Sequence, residues 1–240
     1  LARLAAAPKD EGRLEPFLLA LYNTTCSRCG ETVSADYFVW DRETDAPVLR
    51  SYSCPHCSHT MEEPTEAEDR SLAVGFRRRE LQHSLALEQL APHGDPDREH
   101  AEAALSAYPD RAVYAIVTLL NKLEQLEPAD REAAEALALS AMDQTNALWG
   151  HPEGRPRPLQ LTASPQFREF NLWRALERAV GDWAMEGEAV PVEPWTAGQF
   201  PAAGRVSLFD GPIRELASGI PPGRIEQVVA VLPRPNQAYW

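Results

Sequence analysis

Long apolar runs are missing from this 240-residue chain, and so is any excess of positive charge. A membrane-spanning helix needs roughly 18 or more consecutive apolar residues, so we expect no membrane partner. Lysine and arginine total 23 against 36 aspartates and glutamates, which gives a formal net charge of −13. A surface of that sign does not attract nucleic acid by charge alone. Any contact with DNA therefore depends on a local patch or on other parts of a longer protein.

Signals for secretion and for a phosphate-binding loop are also missing. No charged and then apolar leader opens the sequence, which favours a cytoplasmic protein. The first residues, Leu1–Ala7, are typical of the end of a helix, and the chain stops at the aromatic pair Tyr239 and Trp240. We therefore expect an internal piece of a longer protein. No two glycines are separated by a single residue, so the sequence contains no G-x-G cofactor loop.

Cysteine is scarce, and its four copies form two C-x-x-C pairs, Cys26 with Cys29 and Cys54 with Cys57. Each C-x-x-C turn brings two thiolates together, and two such turns close a tetrahedron around Zn²⁺. Gly30 supplies the backbone freedom that the turn after Cys29 needs. The sequence therefore predicts a structural four-cysteine zinc site, because a complete thiolate set leaves no open coordination position.

Other interpretations of the cysteines are two disulfides or four unrelated thiols. A disulfide framework suits a short secreted chain, and a redox C-x-x-C needs only one pair. His56 and His59 are alternative ligands, but a complete cysteine set makes them unnecessary.

The residues between the two pairs are typical of a β-hairpin. Residues 35–40 and 48–53 are rich in β-branched and aromatic side chains, and residues 41–47 have turn composition. A hairpin with one cysteine turn at each base is the layout of a zinc ribbon. The acidic run that follows, residues 62–69, predicts a solvated connector.

A helical block is predicted next. Apolar spacing favours a helix that carries Leu81, Leu85 and Leu90, followed by helices at about 110–126 and 129–148. A further helix is expected to begin at Ser164, with Pro165 at its first position.

The last third is expected to contain an α/β unit. Residues 205–209 predict a strand, residues 212–217 a short helix and residues 225–232 a buried strand that ends in a polar loop. In open parallel sheets, ligands bind beyond the carboxyl ends of strands.

Residues 208–216 (LFDGPIREL) and 228–236 (VVAVLPRPN), placed after a zinc ribbon and helices, resemble amino-group DNA methyltransferases that carry an inserted zinc ribbon. In that S-adenosylmethionine-dependent family, a Gly-Asp-Ala-Arg-Glu-Leu-like segment precedes a strand that ends in Asp-Pro-Pro-Tyr. The likeness in order and layout covers most of the chain. It implies that the glycine-rich cofactor loop precedes residue 1, and that the full-length protein binds S-adenosylmethionine and DNA.

The same resemblance assigns candidate site residues. Family enzymes hold the amine of a flipped-out base with a carboxylate and a backbone carbonyl, and stack an aromatic ring on the base. Leu232 stands at the carboxylate position of this motif, which leaves Pro233, Asn236 and Tyr239 as catalytic candidates.

For the cofactor, the resemblance leaves Asp210 as the candidate. Pro212 stands where the family has the acid that contacts the adenosine. We therefore expect that this chain alone neither binds S-adenosylmethionine nor methylates DNA.

The expected fold class is α+β or α/β, with a zinc-ribbon hairpin, a helical block and part of a Rossmann-like methyltransferase sheet. The expected divisions are a helical lead-in at 1–22, the ribbon at 23–62, the helical block at 63–185 and the methyltransferase-like segment at 186–240. The expected function is that of a methyltransferase-like fragment acting on an exocyclic base amine. The alternatives are a non-catalytic zinc-ribbon adaptor with a protein or nucleic-acid partner, and a purely structural metal-stabilised domain.

Overall fold

The computed structural model describes residues 1–76, 80–152, 164–184, 190–198, 205–225 and 227. The chain divides into two compact units, Leu1–Ala184 and Met185–Trp240. The first unit begins with α1 (Ala2–Ala5), β1 (Pro8–Lys9), β2 (Gly12–Arg13) and α2 (Leu14–Ala20). The ribbon strands follow: β3 (Asn23–Thr25), β4 (Thr32–Ser34), β5 (Tyr37–Asp41), β6 (Ala46–Ser53) and β7 (Thr60–Pro64).

The helical part of the first unit contains α3 (Ala67–Phe76), α4 (Glu80–Leu90), α5 (Arg98–Leu105), α6 (Asp110–Leu123) and α7 (Pro128–Gln144). The unit ends with β8 (Gln166–Phe170) and α8 (Leu172–Trp183). The predicted helices near Leu85 and Leu90, at 110–126 and at 129–148 are confirmed, with ends shifted by a few residues. Apolar side chains of α6 and α8 pack with those of the sheet into one core, in which Trp173 is 1% exposed.

The prediction that a helix begins at Ser164 is wrong. Residues 166–170 form strand β8, and the helix starts only after Asn171, whose side chain accepts a hydrogen bond from the Trp173 N–H. The reason is a change in the period of burial: Phe167 and Glu169 are buried, whereas Gln166 and Arg168 are partly exposed. That alternation fits a strand, and the neighbouring Tyr37–Asp41 offers an edge with which to pair.

The ribbon sheet is therefore larger than the predicted hairpin. Its four antiparallel strands lie in the order β7-β6-β5-β8, so a strand from outside the ribbon segment completes it. A separate two-stranded sheet pairs β3 with β4. The fold of this unit is mixed α+β with small sheets.

The second unit contains β9 (Val192–Pro194), β10 (Val206–Leu208) and α9 (Ile213–Ser218). The strand and helix expected at 205–209 and 212–217 are thus confirmed. The strand pairs in parallel with β9, from Val206 beside Val192 to Leu208 beside Pro194. The strand expected at 225–232 lies almost entirely outside the described residues, so its pairing stays a prediction.

Candidate metal centre

Each cysteine pair forms the turn of its own short hairpin, one between β3 and β4 and the other between β6 and β7. In the first turn, the Cys26 N–H donates to the Glu31 carbonyl at 2.9 Å and the Gly30 N–H donates to the Cys26 carbonyl at 2.9 Å. Gly30 has a φ of 77°, which only a residue without a Cβ adopts easily.

The second turn repeats this pattern. The Cys54 N–H donates to the His59 carbonyl at 2.8 Å and the Ser58 N–H donates to the Cys54 carbonyl at 2.9 Å. Ser58, at the position equivalent to Gly30, has a φ of 56°. The two turns are therefore the same backbone structure, and the second one places a serine in the left-handed region.

The four sulfur atoms converge at one point. All lie within 4.8 Å of one another. The Cys26 and Cys57 Sγ atoms are 3.7 Å apart and those of Cys29 and Cys54 are 3.6 Å apart. A tetrahedron with Zn–S bonds of about 2.3 Å has S–S edges of roughly 3.8 Å. The four thiols therefore fit a zinc ion, and the donor set is one that zinc prefers.

The disulfide interpretation does not fit these distances. A disulfide bond is about 2.05 Å long, and all four cysteines are free. The predicted grouping of Cys26, Cys29, Cys54 and Cys57 is a cluster compatible with a metal site. His56 and His59 are not part of any such cluster within the described residues.

Burial divides the four thiols into two kinds. Cys26 and Cys54 are 1% and 2% exposed, whereas Cys29 is exposed. The buried pair packs with only Val33 and Tyr52 as further buried members of its apolar cluster. A cluster this small stabilises little by itself, so the ribbon needs another source of stability.

The local electrostatics favour the thiolate of Cys26 and oppose that of Cys29. Burial opposes ionisation of Cys26, but the N–H groups of Cys29 and Arg28 donate to its sulfur and lower its pKa to about 6. For Cys29, the Glu31 N–H favours the thiolate, yet partial loss of hydration and hydrogen bonds with the neighbouring sulfurs outweigh it and raise the pKa to about 12. Binding of zinc therefore releases the proton of Cys29.

The acidic segment after the ribbon is not the solvated connector that its composition predicts. Arg50, whose side chain is 2% exposed, forms ion pairs with Glu63 at 2.9 Å, Glu66 at 2.6 Å and Asp69 at 2.9 Å. An arginine buried in the sheet therefore neutralises the carboxylates of this segment. No periodic pattern marks Arg50 in the sequence, so the network could not be predicted.

A second buried ion pair joins the helices to the sheet. Arg111 on α6 pairs with Glu169 on β8, and both side chains are almost fully buried. Glu169 also accepts from Trp40 Nε1 at 2.6 Å, while the Arg111 guanidinium lies 4.2 Å from the Tyr22 ring centre and 4.6 Å from that of Phe38. Arg111 and Glu169 border a cavity of about 440 Å³, whose wall includes Trp40, Phe76 and Phe167.

Of the methyltransferase-like candidates, Asp210 alone lies within the described residues, in the second unit. Asp210 is exposed, in the loop before α9. Pro233, Asn236 and Tyr239 lie outside the described residues. Their roles stay predictions.

No family model, curated protein or solved structure matches the chain. Among the described residues, no helix is both long and apolar enough to cross a membrane. The metal cluster is therefore the feature from which a function is argued.

Proposed function

We propose that the Leu1–Ala184 unit is a module held together by structural zinc. The convergence of four sulfurs from two equivalent turns is the observation that supports this function. Four thiolates complete the tetrahedral coordination of zinc and leave no position for a water or a substrate. A metal in such a site stabilises folding and does not carry out a reaction.

Zinc has a clear structural task in this ribbon. One cysteine pair comes from the β3–β4 hairpin and the other from the β6–β7 hairpin, which belong to different sheets. Metal bonds to both pairs would hold the two hairpins together where few apolar side chains do so. The free energy of binding the metal then becomes free energy of folding.

We further propose that this module serves as a non-catalytic adaptor within a methyltransferase-like DNA-modification protein. The parallel pairing of β9 with β10, followed by α9, supports an α/β segment in the second unit. The sequence has no glycine-rich cofactor loop, and its net charge of −13 disfavours direct DNA binding. A protein surface, such as the rest of that enzyme, is the partner that this charge favours.

The catalytic alternative is tested with the zinc-loaded chain. We expect isothermal titration with S-adenosylmethionine to give no saturable heat, and a labelled-methyl assay to leave DNA unlabelled. Loss of one preorganised polar partner costs a rate factor of roughly a hundred to a thousand, and this chain lacks the partner at Leu232 as well as the cofactor loop. Micromolar binding of the cofactor, or label in DNA, would show that the chain carries its own active site.

A further inference from the structure

The first cysteine turn is bound to the ribbon sheet by a buried tyrosine and a glutamate. The N–H of Ser27, between the two ligands of this turn, donates to the Tyr52 hydroxyl oxygen at 3.0 Å. The Ser27 hydroxyl donates to Glu63 Oε2 at 2.8 Å, and the Tyr52 hydroxyl donates to Glu63 Oε1 at 2.7 Å. Tyr52 is fully buried. Two strands of the sheet, β6 and β7, therefore hold the tip of the turn.

The same glutamate connects the turn to helix α3. Arg50 Nη2 donates to Glu63 Oε1 at 2.9 Å, and Arg50 Nη1 donates to Asp69 Oδ2 at 2.9 Å. Asp69 lies in the first turn of α3 and is 3% exposed. Its other oxygen accepts from the Thr24 hydroxyl at 2.6 Å, and Thr24 stands two residues before Cys26. Both sides of the first cysteine turn are thus joined to α3.

The second cysteine turn has no equivalent connection. Its tip residues, Pro55 and His56, are exposed, and within the described part of the chain no side-chain hydrogen bond joins them to the sheet. The two turns share one backbone structure, so this difference comes from the surrounding side chains.

We propose that Ser27, Tyr52, Glu63, Arg50 and Asp69 form a polar bridge through which occupancy of the zinc site controls the order of helix α3. This inference rests on the proposed structural zinc. Metal bonds to Cys26 and Cys29 fix the first turn. The fixed turn then keeps the N–H and the hydroxyl of Ser27 within hydrogen-bond distance of Tyr52 and Glu63. Glu63 in turn holds Arg50 in place against Asp69. Buried charges of this kind are favourable only while all partners are in place. Without zinc, the turn moves and the bridge loses its first members.

Loss of the polar bridge would also affect the helical part of the unit. Ala73 and Phe76 of α3 are buried, and both line the cavity of about 440 Å³. A loosened α3 would therefore open one wall of that cavity. Tyr52 is a positioning residue in this account, because its hydroxyl acts on the metal turn and not on the metal.

The test compares Tyr52→Phe with Tyr37→Phe. Both substitutions remove one tyrosine hydroxyl from the same sheet, but Tyr37 donates to Glu62 Oε2 at 2.7 Å. Among the described residues, no hydrogen bond joins the Tyr37 hydroxyl to either cysteine turn. Zinc affinity is measured by competition with a chromogenic chelator. Hydrogen exchange of peptides spanning α3 is then measured by mass spectrometry with zinc and with chelator.

In the wild type, we expect α3 to exchange faster after zinc removal. Tyr52→Phe should bind zinc roughly threefold to tenfold more weakly, because the Ser27 N–H of the metal turn loses its neutral acceptor. It should also lose most of the zinc-dependent difference in α3, because Glu63 loses the bond from the Tyr52 hydroxyl. Tyr37→Phe should retain the wild-type zinc affinity and the zinc-dependent difference in the exchange of α3. Ser27→Ala, at an exposed position, is a second variant that keeps the buried core intact and should shift both readouts in the same direction.

Two different failures are distinguishable. If the wild type binds no zinc, the proposed structural zinc function itself is wrong. If zinc binds but α3 exchanges equally fast with and without it, or if Tyr37→Phe matches Tyr52→Phe, the polar bridge does not transmit occupancy and only this inference is overturned.

Discussion

At the scale of single residues, the two cysteine turns depend on one backbone conformation supplied by different side chains. Gly30 and Ser58 both have positive φ, at 77° and 56°. A non-glycine residue in that region costs about 1 kcal/mol. The second turn is therefore the more strained of the two.

Exchanging side chains at these positions should have opposite effects. Nothing lies within 4 Å of a Cβ built on Gly30, so Gly30→Ala should destabilise the protein through the backbone alone, by about 1 kcal/mol. Ser58→Gly should stabilise the zinc-bound form by up to a similar amount. Denaturant unfolding in excess zinc measures both changes. Gly75→Ala, at the second-last residue of α3, is a control that should stabilise the protein, because alanine favours a helix more than glycine does. Destabilisation by Ser58→Gly would contradict the assigned strain.

The buried pair of Arg111 and Glu169 should tolerate joint replacement better than single replacement. Glu169→Gln leaves the Arg111 charge buried without its carboxylate, which should cost about 3–5 kcal/mol of unfolding free energy. The double variant Arg111→Met with Glu169→Gln removes the unpaired charge and keeps an acceptor for Trp40. Much of the unfolding free energy that Glu169→Gln loses should therefore be recovered. A double-mutant cycle from urea unfolding measures the coupling. Additive losses would show that the pair does not interact as described.

The sequence predicted the metal ligands because two C-x-x-C pairs are the spacing by which four thiolates bind one zinc ion. It also marked Gly30, since glycine signals an unusual backbone angle. Ser58 was missed, although it stands four residues after Cys54 just as Gly30 stands four after Cys26. Arg50 and Glu169 could not be found, because a single charged residue in a strand gives no sign that its partners are distant in sequence.

At the scale of elements, the instructive case is the junction between β8 and α8. A serine and a proline at 164–165 are a good helix start by local rules, yet five residues of strand precede the helix. Pairing with β5 outweighed the local preference, as often happens when a segment completes a sheet. Asn171 marks the true boundary, because its side chain caps α8 and also donates to the Ala35 carbonyl at 3.0 Å.

Asn171 should therefore stabilise the protein in two separable ways. Asn171→Ala removes the cap and the bond to Ala35 and should cost about 2 kcal/mol. Asn171→Asp keeps the capping oxygen but loses the amide donor, so a comparison of unfolding free energies separates the two. If Asn171→Asp is as stable as the wild type, the bond to the ribbon contributes nothing.

The junction of β7 with α3 should make the free energy of unfolding depend on pH. Burial opposes ionisation of Glu63, but hydrogen bonds from Tyr52, Ser27 and Arg50 outweigh it and lower its pKa below the usual value. A lowered pKa contributes stability above roughly pH 4.3, the ordinary value, and this stability is lost as the pH falls through the lowered pKa.

This dependence is measured by urea unfolding between neutral pH and acid. Glu63→Gln should be less stable than the wild type at neutral pH, and the difference should shrink in acid. Glu43→Gln, in the exposed β5–β6 turn, serves as the control. It should change neither the stability at neutral pH nor the dependence of stability on pH. A difference that stays constant across the pH range would contradict the assigned role of Glu63.

At the scale of the whole molecule, the chain consists of a ribbon and helices that share a core, and a second unit with a parallel strand pair. The mixed α+β class was predictable from the order of strand-like and helical segments. The four-stranded sheet was not, because β8 begins only at Gln166, whereas its partner strand β5 ends at Asp41, far earlier in the chain. Local patterns do not report pairings at that separation.

In the proposed structural role, one zinc ion held by four thiolates stabilises the ribbon. The most direct measurement is metal analysis of the purified chain together with Co²⁺ titration of the wild type and of single Cys→Ser variants. We predict one zinc per chain, four free thiols after chelation, and a tetrahedral four-thiolate Co²⁺ spectrum that each of Cys26→Ser, Cys29→Ser, Cys54→Ser and Cys57→Ser alters. Metal bound in the absence of two of these thiols, or disulfides in place of metal, would contradict the proposed four-thiolate zinc site.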